Sequence, residues 1–312
     1  MAGFIARRLL ASVPLVVIAT LLVFVTLELV PGDPAGLLAG EDAPPERVAE
    51  IRSELGLDRP LLVRYGEWLS GVVRGDFGRS LSRGMPVSDL IRGALGPTVE
   101  LAVAAGAVGM AAGIGLGAMQ AAVGGRLDAW MSVGASVALS VPGFVVATVL
   151  LWVFAIELGW LPATGRVAVL SDPLGGVRTL ALPAGTLALT MGAALARYTR
   201  GGVAAVLQQE YIRAARARGL PERRILLRHA LPPALVPVLT VAALQMGNLL
   251  TGAVIAEQVF TRPGIGYLAV TAVRQRDIPL VQGVVVVFAL AYVLVNLAAD
   301  LAAALADPRL RQ

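Results

Sequence analysis

Few side chains in this sequence could do covalent or metal chemistry. The chain has one His and no Cys, and all 26 of its basic side chains are arginine. Without Lys there is no P-loop, whose Gly-Lys-Ser/Thr holds nucleotide phosphates. Without Cys there are no thiolate ligands, and one His cannot form an imidazole cluster. We therefore expect no catalytic residue, metal site or cofactor here, and any ATP and Mg²⁺ would be bound by another chain.

The residues best suited to binding a partner form a basic stretch from Gln209 to Pro232, QEYIRAARARGLPERRILLRHALP. It holds six arginines and two acids between strongly apolar segments. Short arginine-rich loops between membrane spans are retained in the cytoplasm. The basic stretch therefore faces the inside of the cell. Nucleic-acid binding is disfavoured, because spans flank the stretch and no aromatic residues are interleaved with the arginines.

The same stretch predicts a helix, a turn and a second helix. Residues 211–218 are good helix formers, Gly219 supplies the turn, and Pro221 opens the second helix. We expect that helix to end at Leu231-Pro232. Ala214 and Ala215 would leave a smooth patch suited to a groove on a cytosolic protein, with a rim formed by Arg213, Arg216 and Arg218. Two alternatives stay open, namely arginines that only enforce topology and arginines that lie on anionic lipid.

The composition is that of an integral membrane protein. Hydrophobic residues make up 57% of the 312 residues and charged residues 15%, outside the range of soluble domains. We predict an all-α fold with both termini cytoplasmic. Segments long enough to cross about 30 Å of hydrocarbon predict six transmembrane helices, at residues 9–30, 97–122, 129–158, 180–198, 233–256 and 281–302.

Four regions follow from these spans. Residues 1–30 hold the N-terminus and first span, and residues 31–96 form a small extracytoplasmic subdomain. Residues 97–304 form a core of five spans that includes a coupling loop at 200–232, and residues 305–312 are a cytoplasmic tail. In the subdomain, a turn at 31–34 precedes a short amphipathic helix with Val48, Ile51 and Leu55 on one face.

Two spans carry further signals. The second is rich in glycine, at Gly106, Gly109, Gly113 and Gly117, which permits close helix contact in lipid. The third contains Pro142 and Gly143, which predict a kink.

The predicted spans can be compared with what several classes of transporter and enzyme need. No predicted span has a charged residue in its middle, which argues against a proton-coupled carrier. An ion-coupled secondary transporter that works without an ATPase, using backbone carbonyls at broken helices, stays open as the alternative. An intramembrane hydrolase would need a nucleophile and a base within a span, whereas His229 lies in the basic loop.

The basic stretch resembles the EAA loop of importer-type ABC permeases. That pattern is Glu-Ala-Ala, three residues, Gly, nine residues, Ile, any residue and Leu-Pro. Here Ala214-Ala215, Gly219 and Leu231-Pro232 are in register, while Arg213 replaces Glu and His229 replaces Ile. Further phrases resemble the B-type subunit of the dipeptide/oligopeptide/nickel branch, at residues 31–34, 55–81, 141–150, 159–165, 259–273, 276–283 and 307–311.

The resemblance implies a multi-pass permease in the inner or plasma membrane of a prokaryote. Its partners would be a homologous second permease, two cytosolic ATP-binding subunits or a fused ATPase, and an extracytoplasmic substrate-binding protein. Its substrate would be a dipeptide or oligopeptide, with glutathione, haem or a nickel complex also open. ATPase coupling is then assigned to Tyr211, Arg213, Ala214, Ala215, Arg216, Arg218, Gly219, Leu231 and Pro232.

Two further sets of residues are candidates within that picture. Gln245, Asn248 and Thr251 recur at helical intervals on the fifth span, where they line the translocation path or hydrogen-bond to neighbouring spans. The outer phrase with Arg262, Pro263, Gly264 and Gly266 docks the binding protein or packs a re-entrant turn.

Overall fold

The computed structural model describes residues 2–29, 36, 39–40, 44–54, 56 and 58–306. Within them the chain is helical apart from turns and one isolated β-bridge between Arg79 and Pro86. The predicted turn at 31–34, Leu55 and the tail at 307–312 lie outside the described residues. The α-helices are α1 Ala2–Leu29, α2 Pro45–Glu54, α3 Leu61–Val73, α4 Val87–Val123, α5 Gly125–Ser140, α6 Gly143–Leu151, α7 Pro173–Leu207, α8 Glu210–Ala217, α9 Glu222–Arg224, α10 Leu231–Val259, α11 Ile265–Arg274 and α12 Ile278–Ala306. Two π-helical segments are π1 Trp152–Glu157 and π2 Ile225–Ala230.

Among the described residues, five helical segments are long and apolar enough to cross a membrane: Leu10–Leu27 of α1, α4, α7, Glu222–Val259, and Ile278–Ala298 of α12. A sixth crossing is added if α5 and the α6–π1 segment together form one span. Helix α7 has 35 residues, which at 1.5 Å per residue makes it longer than a bilayer core is thick. It continues past the predicted span 180–198 at both ends and into the predicted coupling loop.

The predicted kink in the third span is a complete break. Helix α5 ends at Ser140, and α6 begins at Gly143 after Pro142 in an extended conformation. The two helical segments differ in direction by 102°. A proline lacks the N–H for the helical ladder and disfavours the helical conformation of the residue before it. The predicted interruption of the span at 129–158 is therefore confirmed at Pro142 and Gly143, and it is a break rather than a kink within one helix.

The glycines of α4 allow close packing, as the sequence predicts. A Cβ at Gly109 would lie 3.2 Å from the Met191 side chain of α7, and one at Gly113 would lie 2.8 Å from the Gly192 carbonyl oxygen. At Gly106 it would lie 3.0 Å from Met246 of α10. Gly113 therefore needs the absence of a side chain, because it meets the backbone of α7, whereas at Gly106 and Gly109 a methionine side chain would have to shift by a few tenths of an ångström.

The chain divides into two units. The larger centres on Leu95–Tyr267 and the smaller comprises Arg7–Ala94 and Leu268–Ala291. The core of the larger unit brings together α4, α6, α7 and α10 through buried residues such as Leu101, Ala147, Leu195 and Leu249.

In the smaller unit an aromatic cluster joins α1 and α3. The rings of Phe24, Tyr65 and Trp68 lie 5.5–5.9 Å apart between centroids. The Tyr65 and Thr20 hydroxyls are 2.9 Å apart and buried. Ile51 of α2 is also buried, so this residue of the predicted apolar face of that helix lies in the interior.

A buried carboxylate latch holds a hairpin-like loop at 76–86 to the start of α12. Asp277 Oδ1 accepts hydrogen bonds from the N–H groups of Leu81 at 3.1 Å and Leu280 at 3.3 Å. Its Oδ2 accepts from the Ser82 N–H at 3.0 Å, the Ser82 hydroxyl at 2.7 Å and the Ser80 hydroxyl. Burial alone would raise the pKa of Asp277, but these hydrogen bonds outweigh it and hold the pKa below its usual value. The latch therefore contains an ionised carboxylate.

Asp277→Asn is expected to destabilise the smaller unit, by about 1–3 kcal/mol for a buried donor left unsatisfied. The amide would turn an NH₂ group toward donors that need an acceptor. The matched control is Asp76→Asn, because exposed Asp76 accepts one described bond, from the Gly78 N–H at 2.8 Å. Its effect should stay within about 0.5 kcal/mol. Thermal unfolding of both purified variants checks the prediction, and equal shifts would contradict it.

Helix α11 is followed by an arginine with an unusual backbone. Arg276 has φ of +53°. Its N–H donates to the Val273 carbonyl at 3.1 Å, and the Asp277 N–H donates to the Ala272 carbonyl at 2.9 Å, which is a Schellman motif. Glycine usually occupies this left-handed position, and other residues cost roughly 1–2 kcal/mol there. The Arg276 side chain is exposed.

Candidate functional site

The basic stretch is anchored to the larger unit through one face of α8. Ile212 and Ala215 point inward and are 0% and 8% exposed. They join a buried cluster with residues from α7, π2 and α10, namely Val203, Ile225, Ala230 and Ala234. Because the α8 residues are buried against the ends of two long helices, the basic stretch from Gln209 to Pro232 is held rigidly and is not a loose loop. It is called the elbow below.

The opposite face of α8 is exposed and basic. Tyr211, Arg213, Ala214, Arg216 and Arg218 are all exposed. Acidic Glu210 begins the helix and Arg216 lies in its last turn, an arrangement that complements the helix dipole. The predicted smooth patch is wrong in one respect, because helical geometry turns Ala215 into the core and leaves only Ala214 on the outer face.

Gly219 makes the predicted turn. Its φ is +76°, and its N–H donates to the Arg216 carbonyl at 2.9 Å, while the Leu220 N–H donates to the Ala215 carbonyl at 3.3 Å. This is the Schellman motif, in which a left-handed residue reverses the chain after a helix. A Cβ at Gly219 would have nothing within 4 Å. The requirement for glycine therefore comes from the backbone alone.

Two side-chain contacts fix the angle of the elbow. Arg216 donates two hydrogen bonds to the Glu222 carboxylate, at 2.7 Å and 3.2 Å, which raises the pKa of Arg216. The Tyr211 hydroxyl donates to the His229 carbonyl at 3.2 Å. Pro233 lacks the N–H that would satisfy that carbonyl in an α-helix. With Arg216 engaged by Glu222, Arg213 and Arg218 remain on the outer face without an ion pair among the described residues.

The expected end of the second helix at Leu231-Pro232 is wrong. Helix α9, π2 and α10 form one uninterrupted helical run from Glu222 to Val259. A proline inside a helix removes one N–H from the hydrogen-bond ladder. Pro232 lies directly after the π-helical turn π2, where the hydrogen-bond ladder already changes register. Leu231 is half-buried against the elbow cluster and Pro232 is exposed.

A polar lock lies beside the elbow. Arg200 of α7 forms a bidentate ion pair with Asp128 of α5. Gln120 of α4 is buried and donates to the Asp128 carbonyl at 3.0 Å and to the Ser132 hydroxyl at 2.8 Å. The ends of three helices are therefore cross-linked next to the basic stretch.

The predicted path residues lie together on α10. Asn248 and Thr251 are exposed and Gln245 is half-buried. The Asn248 amide donates to the Gln245 side-chain oxygen at 2.8 Å. Leu244 and Ile255 are exposed in the same register. The result is one mixed polar and apolar stripe along a helix within the candidate span, and its role in the path stays a prediction.

Arg262 of the predicted outer docking phrase lies in the interior of the chain. It is 0% exposed and donates to the Pro97 carbonyl at 3.2 Å and to Glu100 at 2.7 Å. Arg166 donates to both oxygens of the same carboxylate, at 2.7 Å and 3.2 Å. Burial lowers the pKa of Arg262, and the charge of Glu100 opposes that effect. Arg262 is therefore engaged within the larger unit.

The two glycines of this phrase pack on a second buried carboxylate. Glu257 accepts a hydrogen bond from the Thr98 hydroxyl at 2.6 Å and from the Tyr267 N–H at 3.0 Å. A side chain at Gly264 would clash with this carboxylate, and one at Gly266 would clash with the Val254 backbone and lie 3.0 Å from the same carboxylate. Of the four predicted docking residues, Pro263 alone is exposed, so any docking role, which stays a prediction, would rest on it.

Sequence reasoning missed both carboxylate networks. Glu100 and Arg262 are 162 residues apart, and Thr98 and Glu257 are 159 apart. The available signal was the occurrence of Glu257 and Arg262 on either side of a predicted turn. Nothing local in the sequence indicated that the start of α4 would meet them.

Comparisons with known families match almost the whole chain. The family described as "Binding-protein-dependent transport system inner membrane component" matches residues 109–312. Its N-terminal companion, "Binding-prot-dependent transport system membrane comp, N-term", matches residues 1–101.

Full-length relatives are similarly named. A putative peptide transport system permease protein of Brucella abortus strain 2308 is 41% identical, with 100% of this chain and 99% of that protein covered. A probable peptide ABC transporter permease of Sinorhizobium fredii is 39% identical over the full length of both chains. The glutathione transport system permease protein GsiC of Escherichia coli K12 is 36% identical, with 100% and 99% covered.

A solved structure shares the fold. A chain from the MetNI methionine ABC transporter in inward-facing conformations matches with a TM-score of 0.59 at 16% identity, covering 70% of this chain and 96% of that one. At this identity the likeness shows a shared fold, and the full-length sequence matches show the family. The chain belongs to the inner-membrane permeases of bacterial importer-type ABC systems, in the peptide and dipeptide family.

Proposed function

We propose that this chain is the permease subunit of an ATP-driven importer for dipeptides or oligopeptides, and that α8 transmits the motion of a cytosolic ATPase to the spans. The observation that carries the proposal is the two-sided α8. Its inner face is buried on α7 and α10, while its outer face presents Arg213, Ala214 and Arg218. A rigid element of this kind can convert the motion of a partner into a tilt of the attached helices.

The proposed complex contains three kinds of protein partner besides this chain. Two ATP-binding subunits, or a fused ATPase, would hold ATP and Mg²⁺ and contact α8 from the cytoplasm, where both termini also lie. An extracytoplasmic binding protein would deliver substrate. A homologous second permease would complete the translocation path, and this chain would supply the B-type half.

The exposed stripe of α10 supports a path shared with a second permease. An amide side chain that faces lipid has hydrogen-bonding groups without a partner. In hydrocarbon each such group costs several kcal/mol, on the order of the cost of an unpaired backbone group. Asn248 is exposed, and its one described side-chain bond is to Gln245. A second permease or a peptide in a hydrated cavity would satisfy the remaining amide groups, and Thr251 lies on the same face.

Gly219→Val is expected to uncouple transport from ATP hydrolysis in the assembled complex. A β-branched residue at positive φ costs roughly 1–2 kcal/mol or shifts the turn, and either effect changes how α8 is presented to the ATPase. Transport per ATP hydrolysed by reconstituted complexes should fall about five- to thirtyfold, the factor that such an energy represents.

Gly201→Val serves as the matched control. Gly201 is exposed on α7, a Cβ there would have nothing within 4 Å, and its φ is not positive. This variant adds the same side chain close to the elbow without strain at the turn. If both variants transport and hydrolyse ATP like the unmodified complex, the coupling role of the elbow is rejected.

Co-purification separates the proposal from an ion-coupled carrier. Under mild detergent an ATP-binding subunit should accompany the chain, and substrate uptake should require ATP. A secondary transporter would instead move substrate when reconstituted alone under an ion gradient. Uptake by the isolated chain, with no ATPase present, would contradict the ATP-driven mechanism.

A further inference from the structure

We propose that exposed arginines around the carboxylate latch of the smaller unit form a docking surface for an acidic face of the extracytoplasmic binding protein. The inference rests on the proposed function, which places the loop at 257–283 outside the membrane. The surface comprises Arg79, Arg83, Arg274 and Arg276, and all four side chains are exposed.

The latch brings these arginines together from distant parts of the chain. Arg79 and Arg83 directly flank the Ser80–Ser82 segment that hydrogen-bonds Asp277, and Arg276 immediately precedes Asp277. Hydrogen bonds to Asp277 therefore join two segments that are 195–197 residues apart. The loop is further closed by the Arg79–Pro86 bridge and by a bond from the Arg79 guanidinium to the Gly84 carbonyl.

The charge of this surface is available to a partner. The Asp277 carboxylate is buried and its oxygens already accept bonds from Ser80, Leu81, Ser82 and Leu280. The described residues show no ion pair for Arg83 or Arg276. Two other exposed arginines of the smaller unit are paired, Arg59 with Glu67 at 2.7 Å and Arg92 with Asp89 at 2.9 Å. The latch surface therefore groups exposed arginines of which two have no ion pair among the described residues.

Arg276 provides an independent reason to assign a role to this surface. Its backbone occupies a left-handed position, with φ of +53°, where glycine would be favoured. Its exposed side chain is not buried in the core, and arginine on a short outer loop opposes the topological preference for cytoplasmic arginine. A residue that is unfavourable for both the local backbone and the topology is explained if its charge binds a partner.

The family to which the chain belongs is named for its dependence on a binding protein, so a partner must reach the outer side. A rigid cationic surface would steer an acidic protein and orient it on arrival, mainly by raising the association rate. Buried Arg262 cannot serve this purpose. The latch surface therefore supplies the contact that the 262–266 phrase does not.

The test uses the complete complex in nanodiscs of zwitterionic lipid and its cognate binding protein. The variants are Arg276→Gly and Arg83→Gln, with Arg59→Gln as a control for loss of an exposed arginine elsewhere in the smaller unit. We expect association to slow about tenfold for the first two variants at low salt, and the difference to vanish at high salt. Arg276→Gly should keep or raise the unfolding temperature, because glycine suits the left-handed position.

The outcomes are separable. If the binding protein does not stimulate ATP hydrolysis by the unmodified complex, the proposed function itself fails. If it does, and both latch variants associate like the unmodified complex at low salt, the docking surface alone is overturned. If the variants instead lose affinity for phosphatidylglycerol vesicles while binding-protein association is unchanged, the surface contacts anionic lipid and the proposal is likewise rejected.

Discussion

Gly117→Val is expected to force α4 away from α7 and to lower the free energy of unfolding by about 3 kcal/mol or more, at the upper end of overpacking effects. A Cβ at Gly117 would collide with the Ala196 carbonyl oxygen and lie 2.7 Å from Thr199 Cβ and 3.0 Å from Ala196 Cα. Two of these three atoms belong to the backbone, which cannot rotate away as a side chain can. The whole of α7 would have to shift.

Gly115→Val is the matched control for this prediction. Gly115 lies two residues away on the same helix, and a Cβ there would have nothing within 4 Å. Both changes replace helical glycine by valine, so their intrinsic helix-propensity effects cancel. Thermal unfolding of the single chain in detergent should show a large loss for position 117 and little change for position 115. Equal unfolding temperatures would show that α4 and α7 do not pack through Gly117.

Arg262→Met is expected to have the second large effect, about 1–3 kcal/mol, because it leaves hydrogen-bond acceptors without their buried donor. The substitution retains an apolar side chain of similar length but removes the donors to Glu100 and to the Pro97 carbonyl. Glu100 would keep only Arg166, and the Pro97 carbonyl would lose its described side-chain donor. Unfolding temperature and the yield of folded protein in detergent provide the measurement.

Arg166→Met tests whether the stability loss at Arg262 comes from the burial of that arginine or only from its charge. Arg166 binds the same carboxylate, but its side chain is 26% exposed against 1% for Arg262. Water can replace part of what Arg166 provides, so we expect a loss of about 1 kcal/mol or less. A double variant, Arg262→Met with Glu100→Gln, should recover part of the loss because the half-buried carboxylate charge that lost its partner is removed. A loss at Arg166 as large as that at Arg262 would reject the explanation from burial.

Both predictions concern how firmly α4 is held to its neighbours in the larger unit. Helix α4 is tied at its beginning through Glu100 and Thr98, and near its end through Gly117 and Gln120. Helix α10 is joined to the first tie through Glu257 and to the elbow cluster through Ala234. Under the proposed function, tilting of the elbow would therefore move these helices as connected bodies.

Several features of the protein were determined by the sequence by itself. The apolar segments, the arginine-rich loop and the lack of Lys and Cys indicated a helical membrane protein and predicted that any ATP would be bound by another chain. Gly219 indicated the turn that ends α8, and the glycines of the second span indicated close packing. These signals are local, because hydropathy and backbone preference belong to a residue and its immediate neighbours.

Other features were decided only by the tertiary structure. Which alanine of the 214–215 pair turns inward depends on the helices against which α8 packs. The 102° break after Ser140 and the uninterrupted helix through Pro232 depend on how the flanking segments are held. The burial of Arg262 depends on Glu100, which lies 162 residues away. A charge is buried only where a compensating charge or hydrogen bond offsets its desolvation cost. A charged residue near the end of a predicted span is therefore expected at the interface as long as its distant partner is unknown.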